Sequence, residues 1–266
     1  MALLAWADGW FRDEWDSWRV ASARQEWLTG DRNAALDRLR PVVLHRADRL
    51  DWLLDFARKA SDQQRYDEAL EATEAARAQF ASDGNATSQL AWEFVQIAAY
   101  ALVASGKGDA AVDLCRPFEV DSAVAETADF RNGFAYIRAL AGIELTDAER
   151  DVERALESFA WAPYDVAHRL ALSSLDAGKW AEANKWIDRA IGQFEPIHRS
   201  FLEDFETQIA ILGAEGSLQT DEVRSEISRW RKQRESLNRR RALMHAHRAV
   251  IRDAIEDEVR AGADED

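Results

Sequence analysis

A small residue returns at nearly even intervals along most of this 266-residue chain. Ala35, Ala69, Ala111, Ala148 and Ala183 are separated by 34, 42, 37 and 35 positions. Two helices approach closely only where side chains are small, so a repeated alanine marks a repeated helix–helix crossing. Turn residues keep register with it at Gly30-Asp31, Gly106-Lys107-Gly108 and Gly178. A hairpin of this kind exposes an apolar face until its neighbour covers it, so such units must stack. The background composition agrees. Ala, Leu, Glu and Arg dominate, all good helix formers, while Gly and Pro total only 16, too few for a turn-rich β-fold.

Two segments carry the pattern most clearly. Tyr66-Asp67-Glu68-Ala69-Leu70 follows a helical stretch from Trp52 to Ala60, and Gly178-Lys179-Trp180-Ala181-Glu182-Ala183 leads into Trp186, Ile187, Ala190 and Ile191. Both resemble the turn and second helix of a tetratricopeptide repeat, whose period is about 34 residues. In that family the small residue of helix two packs against helix one, and a further apolar residue follows seven places on. Here those places hold Val42, Ala76, Phe118, Ala155 and Ala190. Twelve places before, where the family favours a small residue in helix one, stand Ala23, Ala57, Ala99, Tyr136 and Ala171. The chain departs from the family at Tyr136, at Gly108 in place of the turn aromatic, and in lacking most terminal prolines, Pro196 lying one place late. The resemblance covers residues 16–196. It implies an all-α, right-handed superhelical solenoid of about five helical hairpins.

The resemblance also assigns a groove. Carried over position by position, its lining is Val20, Arg24 and Trp27, then Asp51, Leu54 and Arg58, then Glu93, Gln96, Tyr100 and Val103. Phe130, Ile137 and Leu140 follow, and then His168, Leu172 and Leu175. A lining this apolar is either core or the seat of an amphipathic helix with anchors at i, i+3 or i+4 and i+7. Arg24 and Arg58 hold equivalent places and are expected to grip a carboxylate. The Lys and Asn set by which chaperone-binding relatives clamp a C-terminal carboxylate is not present in full.

The two ends differ from the middle. Trp6, Trp10, Trp15, Trp18 and Trp27 make up five of the eleven tryptophans, and residues 1–15 are expected to cap the first repeat or to present a partner-binding patch. From Gly216 to Gly262 there is neither Gly nor Pro, so 217–261 is expected to form one helix about 65 Å long, with Thr220 as its cap. Its apolar stripe is Val223, Ile227, Trp230, Leu237, Met244, Ile251 and Ile255. Arg234, Arg241 and Arg248 interrupt that stripe every seven residues, which unsuits it to a self-sufficient coiled coil. Residues 222–252 carry a net +7 in a chain of net −15, which leaves −22 elsewhere. Such asymmetry marks an interaction element, with Arg229, Trp230, Arg231, Arg234, Arg239, Arg240, Arg241 and Arg248 as its candidate contacts. The helix is expected to pair with acidic groups of its own chain or a second copy, to meet an acidic partner, or to bind nucleic acid with Trp230 stacking on a base. It either fills the groove or projects from the body.

No catalytic motif emerges. Gly106-Lys107-Gly108 lacks the remainder of a phosphate loop, and HExxH, GxSxG, GxGxxG and paired-cysteine patterns are missing. His245 and His247 point in different directions on a helix and do not share a metal readily. Cys115 rules out an intramolecular disulfide and sits at an apolar repeat position, where it is expected to be buried and inert. The sequon Asn85-Ala86-Thr87 has no bearing on a cytoplasmic protein, which is the expected setting because Ala2–Ala7 is a poor signal peptide and no apolar run reaches 18 residues. The acidic balance argues against nucleic acid and membrane surfaces in general. The expected function is therefore a non-enzymatic adaptor or scaffold, without cofactor or metal, that binds a protein helix or peptide in the groove or through the basic helix. A structural subunit of a larger, self-associating assembly and a nucleic-acid-linked regulator are the alternatives.

Overall fold

The computed structural model describes residues 2–120, 122–158, 164–214 and 221–263, and every element among them is helical. In chain order these are α1 (Ala2–Thr29), α2 (Arg32–His45), α3 (Leu50–Asp62), α4 (Tyr66–Ser82), α5 (Gln89–Ala104) and α6 (Gly108–Val120). There follow α7 (Ser122–Ala125), α8 (Ala128–Ala141), α9 (Leu145–Ser158), α10 (Tyr164–Asp176), α11 (Trp180–Ala214) and α12 (Asp221–Ala263). They divide into two compact units, Met1–Ile137 and Arg138–Asp266, with the boundary inside α8.

In the first unit α1 packs on α2, α3 on α4 and α5 on α6, and among the described residues each hairpin touches the next through α2–α3, α4–α5, α2–α4 and α3–α5. This nearest-neighbour pattern is that of stacked repeats. The repeating alanines are its mechanism. Ala35, Ala69, Ala111, Ala148 and Ala183 are all completely buried, and so are Ala23, Ala57, Ala99 and Ala171 twelve places earlier. Seven places later Val42, Ala76, Phe118, Ala155 and Ala190 are buried as well. Tyr136, the departure in this series, is half-buried.

The turns repeat too. A backbone bond from Lys107 N to Leu102 O (2.9 Å) closes the α5 end, and one from Lys179 N to Ser174 O (2.8 Å) closes the α10 end. The residues before them, Gly106 and Gly178, have φ of +76° and +69°, a region glycine enters without steric cost. The same loop at α3 bonds Arg65 N to Ala60 O (2.9 Å) but places Gln64 at φ +60°, which costs a non-glycine residue roughly 1 kcal/mol or more. Asp31 caps α2 by accepting from Ala34 N at 3.1 Å, and Ser88 caps α5 by accepting from Ala91 N.

In the second unit Arg138 is almost fully buried and joins α8 to α9 by donating to Asp151 Oδ2 (2.5 Å) and Glu144 Oε2 (3.0 Å). Trp186, also fully buried, satisfies its indole N–H on Glu149 at 2.9 Å. Burying a side chain of that size stabilises by about 2–3 kcal/mol.

The tryptophan-rich start and the first repeat helix form one continuous helix. Two other boundaries differ from the sequence expectation. The last repeat helix does not stop near residue 196. α11 runs through Pro196 to Ala214, because a proline on the exposed side forfeits one backbone bond without forcing the chain to turn. The final helix is described from Asp221 to Ala263, against 217–261 expected, and its expected cap Thr220 lies outside the described residues.

Candidate functional site

The expected groove residues of the first unit lie on α1, α3, α5 and α8, the first helices of successive hairpins, and the structure sorts them by depth. Leu54, Phe130 and Ile137 are buried, so they are core rather than contact residues. Phe130 packs at 4.7 Å from Trp92 and 5.6 Å from Phe134. For Phe130 the reason is geometric, since it meets Trp92 of the preceding first helix, α5. Arg24 and Arg58 also differ from expectation, since each already holds a carboxylate of the next hairpin. Arg24 Nε lies 3.2 Å from Asp55, and Arg58 Nη2 lies 2.6 Å from Glu93. Their equivalent register reflects a repeated inter-hairpin ion pair. Trp27 is half-buried between two cations, the Arg32 guanidinium at 5.3 Å and the Lys59 ammonium at 5.5 Å. Lys59 itself pairs with Asp55.

What stays open is a cleft of about 430 Å³ between α3 and α5, lined by Arg58, Ser61, Asp62, Gln64, Tyr66, Gln96, Ile97 and Tyr100. Tyr100 is 39% exposed and meets Tyr66 edge-on at 6.4 Å. Arg58, Gln96 and Tyr100 were expected to line the groove. Tyr66, Gln64 and Ser61 were missed, because Tyr66 opens the second helix and Gln64 reaches the cleft only through its left-handed turn. Gly133 on α8 was missed as well. A Cβ there would collide with Gln96 Nε2 and fall 3.0 Å from Trp92 Cζ2, so the glycine leaves the room in which Gln96 lies.

Of the N-terminal tryptophans, Trp15 and Trp18 are 61% and 60% exposed and stack on each other at 5.3 Å. The side chains of Trp6 and Trp10 lie outside those described.

In the second unit α12 lies against α10 and α11. Its contacts with α11 run in opposite order: Trp230 with Phe205, Asn238 with His198 at 2.7 Å, Arg241 with Glu195 at 2.7 Å and Arg248 with Asp188 at 3.6 Å. Those with α10 run in the same order, Arg240 with Tyr164 at 2.5 Å and His247 with His168 at 2.8 Å. α12 therefore stands to α10 and α11 as α5 stands to α3 and α4, in the place of a sixth hairpin's first helix. Ile227, Met244 and Ile251 are the buried edge it contributes. Such an element shields the last repeat's apolar face.

This packing accounts for much of the basic patch. Arg240 also reaches Asp165 (3.3 Å), Arg252 joins Arg248 on Asp188, and Arg234 lies over the Phe205 ring at 4.9 Å. Glu195 is held below the usual carboxylate range by its bond from Arg241 and by His245. His168, expected in the groove, instead faces His247. Burial, with the neighbouring His247, Arg169 and Arg240, lowers it to about 4. Leu172 is half-buried one turn further along α10. Arg229, Arg231 and Arg239 remain exposed, and Trp230 is half-buried.

Cys115 is buried. Among the described residues no group of three or more His, Cys, Asp or Glu is placed to hold a metal ion, and no helix is long and apolar enough to cross a membrane.

No protein-family model and no curated protein match the sequence. Among solved structures the chain is similar to MamA, with a TM-score of 0.49 at 17% identity over 66% of this chain and 96% of that one. It is also similar to a thermophilic TPR protein of Thermus thermophilus, with a TM-score of 0.46 at 18% identity over 67% of this chain and 91% of that one. The described residues form an all-α protein of stacked helical hairpins.

Proposed function

We propose that the chain is a protein-binding scaffold, and that the cleft between α3 and α5 receives a short helix or peptide of its partner. The observation that carries this reading is Tyr100, standing exposed beside Tyr66 with Arg58 and Gln96 at the rim, on helices whose opposite edges are close-packed. Tyrosine and arginine are the side chains over-represented where interfaces concentrate their binding energy. Stacked repeats present such residues on a rigid face, so a partner does not have to order the receptor.

The test is Tyr100→Ala with Arg58→Glu in the full chain, followed by affinity capture. Loss of a partner that Asp113→Ala retains supports the cleft, and equal capture by both variants overturns it. Removing α12 is a poorer experiment than it looks from sequence, because it would uncover the surfaces against Met244 and Ile251.

The exposed Trp15–Trp18 stack favours a second reading, docking of the N-terminal helix into a larger assembly. Trp15→Ala with Trp18→Ala would then abolish recruitment while Tyr100→Ala left it intact. The nucleic-acid alternative loses support, since Arg240, Arg241 and Arg248 are already paired with acids of their own chain.

A further inference from the structure

The face of α12 turned away from α10 and α11 has a polarity of its own. Between residues 242 and 251 every exposed side chain is apolar or small: Ala242, Leu243, Ala246, Ala249 and Val250. Leu243 and Val250 are 49% and 53% exposed and stand seven residues apart, so they share one edge of the helix. Toward the N-terminus this edge continues with exposed cations, Lys232 and Arg239. Toward the C-terminus it continues with exposed carboxylates, Asp253 and Asp257. Arg239 makes no ion pair among the described residues, its Nε lying 3.4 Å from the Glu235 carbonyl. Neither does Asp253, whereas Asp257 pairs with Arg260 of its own helix at 2.8 Å.

Basic, apolar, acidic in sequence along one helix is a self-complementary pattern. Laid antiparallel against an identical helix, the two apolar centres meet, and each basic end falls beside the other's acidic end. A register that opposes Ala246 to Val250 of the second copy centres the apolar contact on those two residues, sets Arg239 against Asp257, places Leu243 opposite Asp253 so that its side chain covers the stem of that residue next to Arg239, and brings Glu235 near Arg260. Parallel pairing would instead set like charge against like. Ile227, Met244 and Ile251 of the inward stripe are buried, and its interrupting Arg234, Arg241 and Arg248 contact α11, so this outward edge is a separate surface. The arrangement has two-fold symmetry, the usual form of a small homo-oligomer.

We infer that α12 is a homodimerisation helix, pairing antiparallel with α12 of a second copy through Leu243, Ala246 and Val250 and reciprocal Arg239–Asp253/Asp257 ion pairs. This does not depend on the α3–α5 cleft.

The experiment is sedimentation equilibrium on the full chain and two charge-reversed variants, Arg239→Asp and Asp253→Arg/Asp257→Arg, with helicity checked by circular dichroism. The wild type should be dimeric, and each variant alone should dissociate about tenfold or more readily, because attraction becomes repulsion at both ends of the symmetric interface. Mixed in equal amounts the two variants should pair with each other, since both ends of that heterodimer are again opposite in charge. Leu243→Glu should be monomeric with unchanged helicity. A wild type that stays monomeric across the concentration range overturns the inference, as does a dimer indifferent to these substitutions. Variants that fail to pair on mixing would overturn the antiparallel arrangement.

Discussion

The contact between His168 and His247 offers a quantitative handle on how α12 is held. One ring nitrogen must donate and the other accept across 2.8 Å, which two imidazolium rings cannot do. Burial lowers His168 to about 4, with the charges of His247, Arg169 and Arg240 acting in the same direction, and burial with Arg169 lowers His247. The folded values lie below the unfolded value of about 6.5, so as pH falls the unfolded chain takes up protons first. Stability is therefore unaffected by this pair above about pH 7 and declines between about 6.5 and about 4. At full strength the displacement of His168 alone corresponds to about 3.4 kcal/mol. Its ring is only part-buried, and solvent screening reduces this to on the order of 1–2 kcal/mol. The perturbation is His168→Gln/His247→Gln, which can keep a hydrogen bond and cannot titrate. Urea unfolding read through amide exchange in α12 should show the wild type losing that amount relative to the variant between pH 7.5 and 4.5. NMR titration should place the His168 ring near 4. A ring titrating near 6.5 in the folded protein, or identical pH slopes for the two proteins, would refute the reasoning.

Two further substitutions probe the packing. Ala183→Leu forces a larger side chain into a completely buried helix crossing, and thermal unfolding should register a loss of about 1–3 kcal/mol, while Ala181→Leu on the exposed side stays within about 0.5 kcal/mol. Gly133→Ala gains about 1 kcal/mol of helix propensity but drives a Cβ into Gln96 and against Trp92, for a net loss of about 1 kcal/mol. Adding Gln96→Ala should recover most of that loss in a double-mutant cycle, and additive effects would contradict the contact.

The repeat architecture was legible because it rests on a steric requirement that leaves its mark in single residues. An alanine at a helix crossing cannot be replaced cheaply, so Ala35, Ala69, Ala111, Ala148 and Ala183 show up even in an alanine-rich chain. The site was legible only in part. Position within a repeat says which side of a helix a residue faces, and it drew attention to Arg58, Gln96 and Tyr100. It does not say how closely the surrounding helices pack, and in the folded chain Leu54, Phe130 and Ile137 are buried. Nor does it reveal that Arg24 and Arg58 are engaged, since Asp55 and Glu93 lie 31 and 35 residues away. The reach of α11 through Pro196 was hidden for a different reason. Proline is a strong stop signal on average, and only the surroundings of one particular proline show that the helix tolerates it. The end of the chain yielded its interior stripe and, as one of several alternatives, pairing with acids of its own chain, but not which acids, because those that pair with Arg240, Arg241 and Arg248 are drawn from α10 and α11, far back in the sequence.

The central claim is that the α3–α5 cleft is where a partner binds, and site-specific photo-crosslinking tests it most directly. Benzoylphenylalanine would replace Tyr100 in one sample of the full chain and exposed Asp113 on α6 in another, each irradiated in native lysate with a concentration-matched Arg58→Glu control. The account predicts a discrete adduct from position 100 that Arg58→Glu weakens and that position 113 does not give. Adducts from position 113 alone, or equal adducts from both positions, would contradict it.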